Sequence, residues 1–295
     1  MRILVTGANG QLGIAVVSEL LKRGVETFAT GLGPPRFCAA PYIPLDIASQ
    51  AEVKRTFAQI IPSAVIHCAA WTRADAAERP ENAAEVRAVN VDGTRYLAQA
   101  CEAVGSKLVY VSTDCVFDGQ GTRPWKADGE EFRPVNFYGQ TKLEGEQEVR
   151  RYLEKYFIVR TSWLFGIHGS NFIDSILKLG RERDSVQVVK DQTGTPTYAR
   201  DLARLLVDLT ESEKYGCYHA ANEGDYVTKY GLALEVFRQA GCTARVTAVT
   251  SGEYGPSEAV RPLNSRLDRS KLAAAGFAPL PDWRDAVSRY LAELG

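Results

Sequence analysis

Along the first half of the chain, apolar runs of strand length alternate with longer stretches in which apolar residues recur at helical spacing. RILVT (2–6), VETFAT (25–30), AVIHC (64–68), KLVYVS (107–112) and FIVRT (157–161) predict strands. Between and after them, QLGIAVVSELLKRG, AEVKRTFAQII, ENAAEVRAVNVDGTRYLAQACEAVG and NFYGQTKLEGE predict helices. Such alternation is the signature of βαβ units, whose crossovers are almost always right-handed. The expected fold is therefore α/β: a Rossmann-type doubly wound parallel sheet with helices on both faces. The connection 114–135 is too long for a plain turn and is expected to serve function. Beyond about residue 163 the alternation weakens, with helices at 170–182, 197–211 and 227–240 and short strands near QVVK, CYHAA and RVTAV. A dinucleotide-binding domain is expected over 1–163, joined by returning segments from the C-terminal half. Residues 164–295 are expected to form mainly a smaller substrate-binding lobe.

Composition narrows the class. In 295 residues, 45% are hydrophobic and 24% charged, which excludes disorder as the default. Lys and Arg number 35 against 36 Asp and Glu, a net charge of -1, so no global positive field suggests a nucleic-acid partner. The cysteines at 38, 68, 101, 115, 217 and 242 form no C-x-x-C pair, which suggests neither a zinc site nor a disulfide framework and fits a reduced, cytoplasmic setting. The first apolar run is too short for a signal peptide and no segment reaches membrane-span length, so no membrane association is expected.

The candidate chemistry begins after the first strand, where TGANGQLG places Gly7, Gly10 and Gly13 as G-x-x-G-x-x-G at a helix start. Backbone N–H groups and the positive end of a helix dipole can receive a pyrophosphate there, and a side chain at Gly10 would block it. A dinucleotide is the expected ligand. The second strand runs into Gly31 without an acid for an adenosine ribose, and the nearest charged residue beyond is Arg36, which leans toward NADPH or toward use of both NADPH and NADH. Asp46 with Ile47 either brackets the adenosine or leads into the helix that Ser49 caps.

Tyr138 and Lys142 lie four residues apart, hence on one helix face. An ammonium beside a phenol favours the phenolate, so the tyrosine is expected below its usual value of about 10, in the range useful for acid–base catalysis. The spacing alone usually means no more than a solvated helix face. Ser112-Thr113-Asp114, at the carboxyl edge of the fourth strand, adds a hydroxyl that can bond the same carbonyl oxygen. His67, His168 and His219 repeat no metal-ligand spacing, and His67 is expected in the core.

TGANGQLG, the strand-end Thr113 and YGQTK together resemble the extended short-chain dehydrogenase/reductases. Within that superfamily, STDCVFDG, RPWKADG, PVNFYGQTKLEGE, VRTSWLFG, DQTGTPTYARDLA and RPLNSRLDRSKL are similar to the dTDP-4-dehydrorhamnose reductase family, over essentially the whole chain. The resemblance implies reduction by NADPH or NADH of the C4 ketone of dTDP-4-dehydro-L-rhamnose. It makes Tyr138 the proton donor, Lys142 the residue orienting the nicotinamide ribose, Thr113 the holder of the keto oxygen and Asp114 a sugar contact. Gly10, Gln11 and Leu12 would line the pyrophosphate, Asp46 and Ile47 the adenosine, and Ala69, Ala70 and Trp71 the turn beneath the cofactor. Trp163 would pack on substrate, its plain alternative being a core aromatic, and the Asn90 amide would support the catalytic strand.

A nucleotide sugar's diphosphate calls for a cation; Arg261 is the candidate, a solvated arginine the alternative. Where family members often read V-D-K-A-E, this chain has Ala74-Asp75-Ala76-Ala77-Glu78 after Arg73, so a cation near the sugar is moved or missing; where some relatives carry a metal-binding glutamate it has Ala15, so no metal is expected. Two other readings stand beside the reductase: a nucleotide-sugar epimerase holding NAD, and a non-catalytic NADP-binding subunit resembling the regulatory subunit of methionine adenosyltransferase. A monomer and a homodimer are both compatible with the sequence.

Overall fold

The computed structural model describes residues 1–36 and 39–295. Its first layer is a parallel sheet of seven strands: β1 (Arg2–Thr6), β2 (Glu26–Gly31), β3 (Tyr42–Pro44), β4 (Ala64–His67), β5 (Lys107–Thr113), β6 (Tyr156–Thr161) and a late strand at Gly216–His219. The order across the sheet is late strand, β6, β5, β4, β1, β2, β3, so the direction of winding reverses between β1 and β4. Loops leaving the carboxyl ends of those two strands diverge and open a crevice, the usual ligand position in such sheets.

Side-chain alternation explains the two faces. Ile3, Val5, Ile66, Val109, Phe157 and Val159 point to one side, against α1 (Gln11–Lys22) and the helix Ala199–Thr210. Leu4, Val65, Leu108, Tyr110 and Ile158 point to the other, against α2 (Gln50–Ile60), Thr94–Val104 and Phe137–Tyr152. A strand buried on both faces must be apolar throughout, which is why these strands read as continuous runs. Each fully buried aliphatic side chain contributes about 1.5–3 kcal/mol, so these strands anchor the fold.

Three segments had no counterpart in the sequence pattern. β3 is a three-residue edge strand, Tyr42–Pro44, too short to display alternation. Within the predicted helix 81–105, Ala88–Gly93 is a π-helical stretch between two α-helical pieces. Leu164–Phe165 pairs with Thr197–Tyr198 in a small separate sheet.

The C-terminal half contributes to both regions. Helix Ala199–Thr210 and strand Gly216–His219 return to the main sheet. The helices Phe172–Glu182, Lys229–Ala240 and Trp283–Leu294 enclose a separate core with Phe165, Ile176, Val186, Phe237, Trp283 and Tyr290. Strand Ser185–Val189 pairs with Arg245–Val249 beside it. The long connection after β5 folds down rather than projecting: Phe117 stacks on Trp125, ring centroids 4.7 Å apart, and Trp125 N–H bonds Arg266 O. No helix among the described residues is long and apolar enough to cross a membrane. Cys38 lies outside the described residues, and the other five cysteines are free thiols.

Candidate active site

The crevice at the sheet's carboxyl edge has a volume of about 490 Å³ and is walled by the glycine-rich turn, the ends of β2, β4, β5 and β6, and Tyr138 and Lys142. Gly7 occupies the left-handed region, with φ +68, which turns the chain from β1 into α1. A Cβ at Gly13 would stand 2.1 Å from Gly7 O, so only glycine lets helix and turn pack. At Gly10 a Cβ would meet nothing closer than Gly7 O at 3.4 Å, and its free side is the crevice itself. Gly10 caps α1 without any side-chain hydrogen bond, and no acidic residue sits in the first turn. The leading N–H groups of α1 therefore remain open to an anion. These features fit a dinucleotide pyrophosphate.

At the adenosine end, Thr30, Gly31, Leu32, Leu45, Asp46 and Ile47 line the crevice. Asp46 accepts a bond from Ala48 N–H at 2.9 Å while Ser49 caps α2 through Glu52 N–H, so the carboxylate both borders the crevice and shapes the helix entry. Asn9, which the sequence reading passed over, donates to Leu32 O, Pro34 O and the Tyr42 hydroxyl and accepts from Arg36 N–H. It ties the loop after β2 to the glycine turn, and this loop carries no acid for a ribose.

The catalytic candidates meet where β5 ends against the start of the helix Phe137–Tyr152. Asn136 caps that helix by accepting from Gly139 N–H at 2.7 Å. A Cβ at Gly139 would lie 2.1 Å from Cys115 O, so this glycine lets the helix press onto the strand end and brings Tyr138 beside Thr113. Thr113 and Asp114 are buried, and Thr113 Oγ1 donates to Asp114 Oδ1 at 3.1 Å.

The electrostatics depart from expectation. Burial, then the neighbouring Cys115 and Asp114, raise the Tyr138 phenol well above its usual range, while a hydrogen bond with Thr113 partly offsets this. Lys142 does not lower it. Burial takes the Lys142 amine itself down to about 7, and its Nζ rests 4.0 Å from the centre of the Tyr110 ring. Burial also raises the Asp114 carboxyl. The four-residue spacing brought both side chains to one face, but the amine's surroundings come from β5.

Behind the site lies a buried ionic network. Glu146 receives Arg160 Nε at 2.8 Å and Nη2 at 2.6 Å, and the Ser112 hydroxyl at 2.6 Å. It joins β5, the Tyr138 helix and β6. Asn90 sits in the π-helical stretch: its Oδ1 accepts from Trp71 N–H at 2.9 Å, and its Nδ2 donates to Trp71 O and to Thr141 Oγ1. It thus supports the turn after β4 and the Tyr138 helix rather than β5. His67 is a core residue bonded to Thr6 and Thr94.

The remaining expected site residues divide. Cys68, Ala69, Ala70 and Thr72 line the crevice, but the Trp71 indole instead lies under the Arg73 guanidinium at 4.6 Å and is not on the wall. Trp163 does line it, at φ +49, an uncommon conformation for a bulky residue, and it also packs against the core of the C-terminal half. Arg261 lies outside it, on a second cavity of about 660 Å³ bounded by Phe172–Glu182, Ser185–Val189 and the segment 251–263. There it is paired with Asp75.

All 295 residues match the family described as the RmlD substrate binding domain. The dTDP-4-dehydrorhamnose reductase of Streptomyces griseus is 42% identical over 294 residues, covering 97% of this chain and 92% of that protein. Among solved structures, a dTDP-4-dehydrorhamnose reductase from Clostridium acetobutylicum superposes with a TM-score of 0.92 at 37% identity, covering 100% of this chain and 99% of that one. The dTDP-4-dehydrorhamnose reductase of Bacillus anthracis, solved in complex with NADP, gives a TM-score of 0.88 at 35% identity, with the same coverage.

Proposed function

Since the chain belongs to the RmlD substrate binding domain family and is an NAD(P)H-dependent oxidoreductase of the dTDP-4-dehydrorhamnose reductase type, we propose that it reduces the C4 ketone of dTDP-4-dehydro-L-rhamnose to dTDP-L-rhamnose. The observation that carries this reading is the convergence of Thr113, Tyr138 and Lys142 on the crevice that also holds the open N-terminus of α1. NADPH or NADH, when bound, supplies the hydride.

The side chains account for the rest of the chemistry. Gln11 and Leu12 would present their N–H groups to the pyrophosphate, while Gly10, whose own N–H is bonded to Gly7 O at 3.0 Å, leaves its Cα side open for it; Lys142 would reach the nicotinamide ribose. Thr113 holds the ketone oxygen through its hydroxyl. Tyr138, kept protonated by burial, retains its proton until an alkoxide more basic than a phenolate forms at that oxygen, then transfers it. Asp114 and Trp163 border the sugar, and the second cavity receives the nucleotide. In this reading residues 1–163 with the returning segments hold the cofactor, and 164–295 mainly hold the nucleotide sugar.

The test is cofactor oxidation by purified protein supplied with dTDP-4-dehydro-L-rhamnose. Tyr138→Phe should lose on the order of 100-fold or more in turnover with NADPH affinity preserved. Unchanged turnover would remove Tyr138 from the role of acid. Tightly bound NAD that is reduced and reoxidised within one turnover would favour the epimerase. Absence of turnover on any dTDP-ketosugar, with stable association to a synthetase, would favour the regulatory subunit.

A further inference from the structure

The second cavity contains a cation in an unusual setting. Among the described residues, Lys229 and Arg261 are the two cations on its wall. Arg261 is engaged by Asp75, whose carboxylate also receives Ser257 Oγ at 2.8 Å and Ala259 N–H at 3.1 Å, so its charge is already balanced. Lys229 opens the helix Lys229–Ala240, and its ammonium lies between two aromatic rings, 3.8 Å from the centre of Trp163 and 4.5 Å from that of Phe172. No carboxylate comes within ion-pair distance of it among the described residues; Asp114 acts on it only at longer range, beside Cys115 and Arg261. Burial lowers the amine to about 7.

Two aromatic faces stabilise a desolvated ammonium, but they supply no counter-charge. An amine so enclosed, without a counter-charge, gives up its proton more readily, and a bound anion is what would hold it charged. Position points to which ligand. Trp163, under the ammonium, lines the cofactor crevice, as does Asp114, while Lys229 itself lines the second cavity. The ammonium therefore stands where the two spaces meet, which an elongated ligand reaching toward Tyr138 must pass.

Resting on the reductase reading for the identity of the sugar, we infer that Lys229 is the residue that receives the diphosphate of the nucleotide sugar, with Trp163 and Phe172 fixing its ammonium in place. Arg261 instead holds the segment 257–261 to Asp75. The class of ligand is a nucleoside diphosphate joined to a sugar, and the recognised group is the phosphate.

The experiment compares dTDP with thymidine as ligands, so it needs no turnover. Lys229→Gln should weaken dTDP binding on the order of 30-fold, leave thymidine and NADPH binding unchanged, and raise KM for the dTDP-ketosugar far more than it lowers kcat. Lys229→Arg should recover most of the dTDP affinity. As a check on the unaltered protein, dTDP but not thymidine should shield Lys229 from acylation by sulfosuccinimidyl acetate, read by peptide mass mapping. Equal dTDP affinity in parent and Lys229→Gln, equal losses for dTDP and thymidine, or no shielding would each overturn the assignment. If dTDP binding depends on Lys229 but no ketosugar is reduced, the phosphate site stands and the reductase reading fails.

Discussion

Lys142 follows Tyr138 by one helical turn, yet its Nζ is seated on the ring of Tyr110, 4.0 Å from the centroid, and the Tyr138 phenol is held up first by burial and then by its neighbours Cys115 and Asp114. The two residues share a face without forming a tuned pair, which separates the roles of lysine and tyrosine into measurable quantities.

The Lys142 amine should make stability depend on pH. Its folded value of about 7 lies below the unfolded value of about 10.4, so between those limits the unfolded chain binds more protons. Stability therefore rises with pH from about 7 to 10, by up to about 1.4 kcal/mol per unit from this group, and is flat in this term below 7. Lys229 adds a second contribution of the same sign. Lys142→Met should gain stability over the parent at pH 7 and lose that advantage toward pH 10. Denaturant midpoints across this range decide the point; an offset independent of pH would contradict it.

Gly10 and Gly13 should separate binding from folding. Gly10→Ala adds a methyl that meets Gly7 O at a tolerable 3.4 Å, whereas Gly13→Ala forces one to 2.1 Å from the same oxygen. The first variant should melt near the parent temperature but bind NADPH at least about tenfold more weakly, a difference of about 1.4 kcal/mol. The second should lose stability outright. Parallel calorimetry and cofactor titration would distinguish them.

The Glu146–Arg160 pair should be costly to break and cheap to replace. Both side chains are buried, at 1% and 0% exposure. Glu146→Gln leaves Arg160 with uncompensated charge and should cost about 3–5 kcal/mol in urea unfolding. Replacing both, as Glu146→Leu with Arg160→Met, should recover much of that loss. A double variant no more stable than Glu146→Gln alone would contradict this account.

Asn90 should matter to both stability and turnover. Asn90→Ala leaves Trp71 N–H and Thr141 Oγ1 without their amide partners, at a cost of about 1–3 kcal/mol. Because Thr141 lies between Tyr138 and Lys142 on the catalytic helix, kcat should fall more than NADPH affinity. A change confined to stability would mean that Asn90 does not position the helix.

The central strands, the glycine turn and the Tyr138 helix were legible because each is a local pattern: a strand buried on both faces must be apolar, and a dinucleotide turn must be glycine-rich. The crossover rule then fixed the sheet's hand and placed Thr113 at the ligand edge. Edge strand Tyr42–Pro44 was not legible, since three residues are too few to show alternation. Nor was the π-helical stretch at Ala88–Gly93, which keeps the composition of its helix while shifting its hydrogen bonds.

What the sequence determined by itself was the architecture, the family and the convergence of Thr113, Tyr138 and Lys142, all fixed by short-range spacing and by chain order. Only the tertiary structure decided the charges. Whether an amine tunes a phenol, rests on Tyr110 or waits between Trp163 and Phe172 depends on which distant side chains surround it, and desolvation acts through that enclosure rather than through sequence neighbours. For the same reason Arg261, which reads as a free cation in its loop, is bound to Asp75 from a helix 186 residues away, while Lys229 drew no notice in the sequence.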